Sequence, residues 1–209
     1  MAITLAAALA LAAQCAPSVA PETLLSVVQV ESRFEPLAIG VNGAPRIAVE
    51  PTSVDDAVAK AAALIKAGRS IDLGLAQINS KNLSWLGLTL AEVFEPCTNL
   101  RAAARILQDG YGRSDAARVG EQAALKRALS YYNTGHPARG FTNGYVAKVS
   151  SAAERIVPAI GGTAVAIPSG PVPAPPPEIS ASWDVFGEVR RGPSSFVTTV
   201  STTTSGGFQ

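Results

Sequence analysis

From Leu24 to Ser32 the chain reads Leu-Leu-Ser-Val-Val-Gln-Val-Glu-Ser, an almost wholly apolar run that ends in a carboxylate. Pro21 and Glu22 open it as a helix, because proline suits the first turn and an acid favours the positive end of the helix dipole. The pattern predicts a helix to about Phe34, stopped by Pro36. Leu24, Val28 and Glu31 are spaced to share one face, so the acid lies at the edge of an aliphatic stripe. A carboxyl group in such poorly solvated surroundings is expected to have a raised pKa. The plain alternative is a solvated surface acid at a helix end.

Met1 to Ala13 is nearly all apolar and uncharged. It lacks the early basic residue of a secretory signal and is too short to span a bilayer, so it is read as a first, buried helix, with a poorly formed export signal as the alternative. Residues 38–43, Ala-Ile-Gly-Val-Asn-Gly, read as a turn-rich loop or short hairpin. Ser53 and Asp56 have capping-box spacing before an Ala-rich helix, Val54 to Ala67, that Gly68 stops.

Residues 72–79, Asp-Leu-Gly-Leu-Ala-Gln-Ile-Asn, lack helical periodicity. In an extended chain Gln77 and Asn79 would point the same way, as one wall of a polar cleft; a capped turn before the next helix fits equally. Trp85 and Phe94 flank a short helix after Thr89. Three longer helices follow: Leu100 to Asp109, Gln122 to Tyr132, and Val146 to about Val157. Past Gly161 the composition changes, with six prolines between Ile167 and Pro177 and a Ser/Thr-rich end. These features predict a mainly α domain over residues 1–160 and a disordered Pro-rich tail over 161–209, in which Trp183 and Phe186 form a small aromatic island that could dock on a partner.

Charge adds an exclusion: 17 basic against 16 acidic residues give no electrostatic reason to expect nucleic acid or an anionic membrane as partner. One histidine and no paired C-x-x-C leave no zinc-hydrolase ligand set, and no glycine loop would cradle phosphate. A Ser-His-Asp triad would need His136, which sits in a Gly-His-Pro turn without a nucleophile elbow. No metal or cofactor is expected. Two cysteines remain, Cys15 and Cys97. In a reducing cytosol they would be small buried hydrophobes, and in an exported protein one disulfide closing a loop of about eighty residues.

What is left is an acid with hydroxyls, amides and aromatic faces on loops and helix ends, the groups that hold a sugar chain. In order, Glu31-Ser32, then Gly-Leu-Ala-Gln-Ile-Asn over 74–79, then Tyr-Tyr-Asn-Thr-Gly over 131–135, then Tyr145 resembles the motif set of the soluble lytic transglycosylases. The segments 14–17, 38–43 and 94–100 resemble the branch that accompanies type IV secretion and conjugation machines. The resemblance covers residues 10–157 and implies a lysozyme-like fold of the goose-type lysozyme and lytic transglycosylase kind, acting on peptidoglycan in the periplasm.

By residue, the resemblance implies that Glu31 is the single catalytic acid, and that Ser32 and Gln77 hold substrate or order the acid. Asn79 would brace its loop, and Tyr132, Asn133 and Tyr145 would line the cleft near the acetamido group. Asp72, the one acid near a site motif, is read as a turn or helix cap. Ala76 and Tyr131 depart from the family pattern, where Met and Ala often stand. The implied partners are glycan strands and, through the tail, secretion-channel components, with no transmembrane segment. Two other readings stay open: a hydrolytic muramidase with Asp72 as second acid, and a non-enzymatic wall-binding assembly module.

Overall fold

The computed structural model describes residues 1–44 and 47–161. The predicted tail, with its prolines and the Trp183/Phe186 island, lies outside them. Ten α-helices, a single 3-10 turn (Ser80–Asn82) and a small sheet occur among the described residues: α1 (Leu5–Cys15), α2 (Pro21–Glu31), β1 (Ile39–Val41), α3 (Val54–Lys66), β2 (Ile71–Leu73), β3 (Ile78–Asn79), α4 (Leu83–Leu86), α5 (Leu90–Phe94), α6 (Pro96–Gly112), α7 (Ala116–Val119), α8 (Glu121–Thr134), α9 (Arg139–Thr142) and α10 (Tyr145–Gly161). No helix among them is long and apolar enough to cross a membrane.

The apolar run around Leu24 forms the central helix. Seven consecutive residues of α2, Glu22 to Val28, are buried, so it is enclosed on all sides rather than amphipathic. Helices α1, α6 and α10 pack against it. It ends at Glu31, three residues before the predicted stop, because Arg33 and Phe34 adopt left-handed backbone (φ 55° and 67°). That double turn sends Phe34 into the core and leaves Arg33 exposed.

Residues Met1 to Ala13 contribute to the domain. The Thr4 hydroxyl caps α1 by accepting from the Ala7 N–H, Ala8 and Ala12 are buried, and the Ile3 N–H donates to the Phe34 carbonyl. Cys15 at the end of α1 is bonded to Cys97 in the first turn of α6. The two cysteines are 82 positions apart, so by the chain-entropy model the link stabilises by about 4–5 kcal/mol.

Two local readings change. The Ser53 hydroxyl accepts from the Asp56 N–H, but the Asp56 carboxylate accepts from Thr52 instead of returning to Ser53. The reciprocal box forms at Thr89 and Glu92. The last helix continues through Pro158 to Gly161, where the prediction ended it at Val157.

The sheet is antiparallel in the order β1-β2-β3, with Ile39 opposite Leu73, Asp72 opposite Asn79, and Leu73 opposite Ile78. Thus residues 38–43 supply an edge strand paired to β2 rather than a hairpin of their own. The stretch 72–79, predicted extended or as a capped turn, is itself the hairpin. Its apolar residues Ile71, Leu73, Leu75, Ala76 and Ile78 are buried, and Asp72, Gln77 and Asn79 border an open cleft.

Candidate active site

The hairpin turn between β2 and β3, residues Gly74 to Gln77, is clamped from several elements. Ser32 at the end of α2 donates to the Leu75 carbonyl at 2.6 Å. Tyr132 of α8 donates to the Ala76 carbonyl at 2.6 Å. Beneath it lies Asn99 of α6, fully buried: its amide nitrogen donates to the Leu73 and Val93 carbonyls, and its oxygen accepts from the Ala76 N–H. Gln77, with left-handed backbone (φ 50°), donates to the Ala38 and Gly74 carbonyls at 3.1 and 2.9 Å. Glycine is required at Gly74, and Gly40 leaves room for the end of the Gln77 side chain. Gly74 has φ 75° and a Cβ there would collide with the Asn99 amide, while a Cβ at Gly40 would come within 2.7 Å of Gln77 Oε1.

Glu31 emerges at the end of α2 beside this turn. The Tyr145 hydroxyl donates to its Oε1 at 2.6 Å. Burial pushes the Glu31 pKa up to about 7; the Tyr145 hydrogen bond opposes the rise and the charge of Asp72 adds to it. Burial, with Glu31 nearby, raises the pKa of Tyr132 and Tyr145 well above the usual phenol range, so both remain hydrogen-bond donors.

Two depressions meet at Glu31 and Gln77, which line both. The first, about 480 Å³, runs past Asp72, Asn79, Trp85, Tyr132 and Asn133. The second, about 540 Å³, runs past Ser32, Arg33, Glu35, Leu37 and Glu50. An acid of raised pKa therefore stands at the junction of a two-armed polar groove.

The expected site residues are brought together, with changed tasks. The Ser32 hydroxyl and the Tyr132 hydroxyl engage backbone carbonyls of the turn. Both amide hydrogens of Gln77 face backbone carbonyls, leaving its oxygen as the group open to a ligand. Asn79 donates to Asp72 Oδ1 at 2.7 Å and to Ser70, and Asn133 accepts from Asn143 at the groove wall. Tyr145 is buried behind the acid rather than lining the groove.

Asp72 is neither turn cap nor helix cap. It sits in β2, bordering the groove, with its carboxylate accepting from Asn42 and Asn79, and burial raises its pKa. Sequence reasoning missed Asn99 as the turn's support, and Trp85 as groove wall with Arg105 over its ring at 5.3 Å. Asn99 lies in a segment singled out for its resemblance, but nothing local in the sequence marks its amide as buried.

A mainly helical domain with a three-stranded sheet, an open polar groove and an acid resistant to ionisation at its middle defines the lysozyme-like class of glycan-cleaving proteins. The Transglycosylase SLT domain model matches residues 8–154. Protein virB1 of Agrobacterium fabrum is 42% identical over 180 residues, covering 86% of this chain and 70% of that protein. The type IV secretion system protein virB1 of Brucella suis biovar 1 is 44% identical over 152 residues, 70% of this chain and 63% of that protein. Protein virB1 of Rhizobium radiobacter is 42% identical over 187 residues, 86% of this chain and 72% of its own length. No solved structure gives a significant match.

The chain belongs to the transglycosylase SLT family, and is a peptidoglycan lytic transglycosylase.

Proposed function

We propose that this chain cuts the bond between N-acetylmuramic acid and N-acetylglucosamine with Glu31 as its one acid and base, leaving 1,6-anhydromuramic ends. The observation that carries the reading is Glu31 with its pKa raised to about 7, placed where the two arms of the groove meet. Near neutral pH a large fraction of the enzyme then carries the proton that the glycosidic oxygen must receive. Once that proton is given, the carboxylate accepts one from the muramoyl 6-hydroxyl as its oxygen closes on the anomeric carbon. Glu31 ends protonated, ready for the next bond, and the substrate has supplied its own nucleophile. The acetamido group can share the positive charge of the oxocarbenium-like centre.

Tyr145 supports both halves of the cycle, because its hydroxyl steadies the carboxylate while the proton is away. Ser32, Gln77, Asn79 and Tyr132 keep the turn beside the acid in place, with the Gln77 oxygen free to accept from a sugar hydroxyl or amide. Asn133 and Asn79 line the first arm. By likeness to the virB1 proteins, including one named as part of a type IV secretion system, the enzyme opens the wall for a secretion or conjugation apparatus and works in the periplasm.

Glu31→Gln tests the assignment: release of 1,6-anhydromuropeptides from purified sacculi stops while the circular dichroism spectrum is unchanged. Continued release removes Glu31 from the role. A second reading has one observation in its favour, since Asp72 borders the same groove and could direct a water. Reducing ends in place of anhydro ends, resolved by mass spectrometry of the same digests, select that hydrolytic reaction.

A further inference from the structure

A third depression, of about 450 Å³, shares Val30 and Arg33 with the second arm of the groove but is not lined by Glu31. Its lining is Gln29 and Val30 of α2, Arg33, and Ala147, Lys148, Ser151 and Arg155 of α10. Lys148, Ser151 and Arg155 follow one another at three- and four-residue spacing, so a single helix face presents them. The three cations are exposed, and no acid lines the depression with them. In a chain of nearly balanced charge this is a local surplus of positive potential.

Arg33 belongs to both hollows, lining the second arm of the groove as well as this depression. Its left-handed backbone, followed by a second left-handed residue at Phe34, holds it out at that boundary. The groove side of Arg33 carries Glu50, and Glu35 paired there with the Met1 ammonium at 2.9 Å, so the unpaired positive charge open to an arriving carboxylate lies toward α10.

Resting on the proposed cleavage at Glu31, we propose that Arg33, Lys148 and Arg155 hold the carboxylates of the stem peptide borne by a muramic acid in the second arm. The ligand is a short anionic peptide tethered to the glycan through a lactyl ether. The sugar fills the arm, and its peptide crosses Arg33 into the depression. Guanidinium groups suit this task because they meet carboxylates through paired hydrogen bonds, while Val30 and Ala147 give the peptide's alkyl parts an apolar floor. The surface makes the enzyme favour strands that still carry their peptides.

Calorimetric binding of soluble glycan fragments to the full-length Glu31→Gln chain, which keeps the ligand intact, tests this. Fragments with stem peptides bind about fivefold more tightly than the same fragments stripped by an amidase, as expected for exposed charge pairs. Lys148→Gln with Arg155→Gln removes the difference without weakening stripped-fragment binding, and Lys148→Glu with Arg155→Glu reverses it. Half-molar salt shrinks the preference in the unaltered surface. Equal binding of both fragments, or a preference that survives the double substitution, overturns the inference whether or not the native chain cuts. A preference retained beside continued cutting by Glu31→Gln overturns only the cleavage reading.

Discussion

Glu31 is a residue whose environment comes from two parts of the chain far apart in sequence. Its aliphatic surroundings on α2 are visible in the spacing of Leu24, Val28 and Glu31, which is why a raised pKa was legible. Its hydrogen-bond partner was not, since Tyr145 lies 114 positions away and only the packing of α10 on α2 brings the two together. The sign of the pH dependence follows from these groups. A general acid must be protonated, so kcat/KM falls as pH rises through about 7. Tyr145→Phe removes the contact that favours the ionised form, leaving burial and the Asp72 charge to act unopposed. The alkaline limb then moves to higher pH, and the plateau drops by about tenfold because the carboxylate formed in mid-cycle loses a charge-assisted bond. A rate profile from pH 5 to 9 checks both; a plateau loss with an unmoved limb would mean a packing role alone.

At the scale of elements, the Gly74–Gln77 turn decides how the groove is shaped. An alternation argument fails here because only Ile78 and Asn79 follow it as strand, while Gln77 turns through left-handed backbone. Ser32, Tyr132 and Asn99, from three different helices, bond to that turn, and such convergence leaves no periodic trace in any one segment. Asn99→Ala would leave the Ala76 N–H and the Leu73 and Val93 carbonyls without this partner in a dry interior. The expected cost is about 3 kcal/mol of unfolding free energy, with kcat reduced as the turn beside Glu31 loosens. Urea denaturation alongside muropeptide release measures the two effects.

For the whole molecule, helix order was legible because α3, α6, α8 and α10 each carry an apolar stripe of the right period. The short α7 and α9 have four residues each and left no such signal. The reading of Met1 to Ala13 as a first helix matches α1, but its burial is confined to one face: of those residues only Ala8 and Ala12 are buried, and the helix is tied through Cys15 to α6. Among the described residues, both arms of the groove are lined by side chains from Met1 to Gly135. We therefore expect deletion of residues 168–209 to leave anhydromuropeptide release intact while abolishing association with secretion-channel components. Co-purification with and without the tail tests the division; full association after deletion would assign the contact to the domain.

The bond between Tyr145 and Glu31 also sets a timetable. The acid is made early, but its partner belongs to the last helix of the domain, so a nascent chain carries Glu31 long before it can bury and hydrogen-bond it. A polypeptide interrupted before α10 lacks both the Tyr145 hydroxyl and the helix that packs along α2. The pairing of acid and phenol is thereby completed only when nearly the whole domain has been delivered.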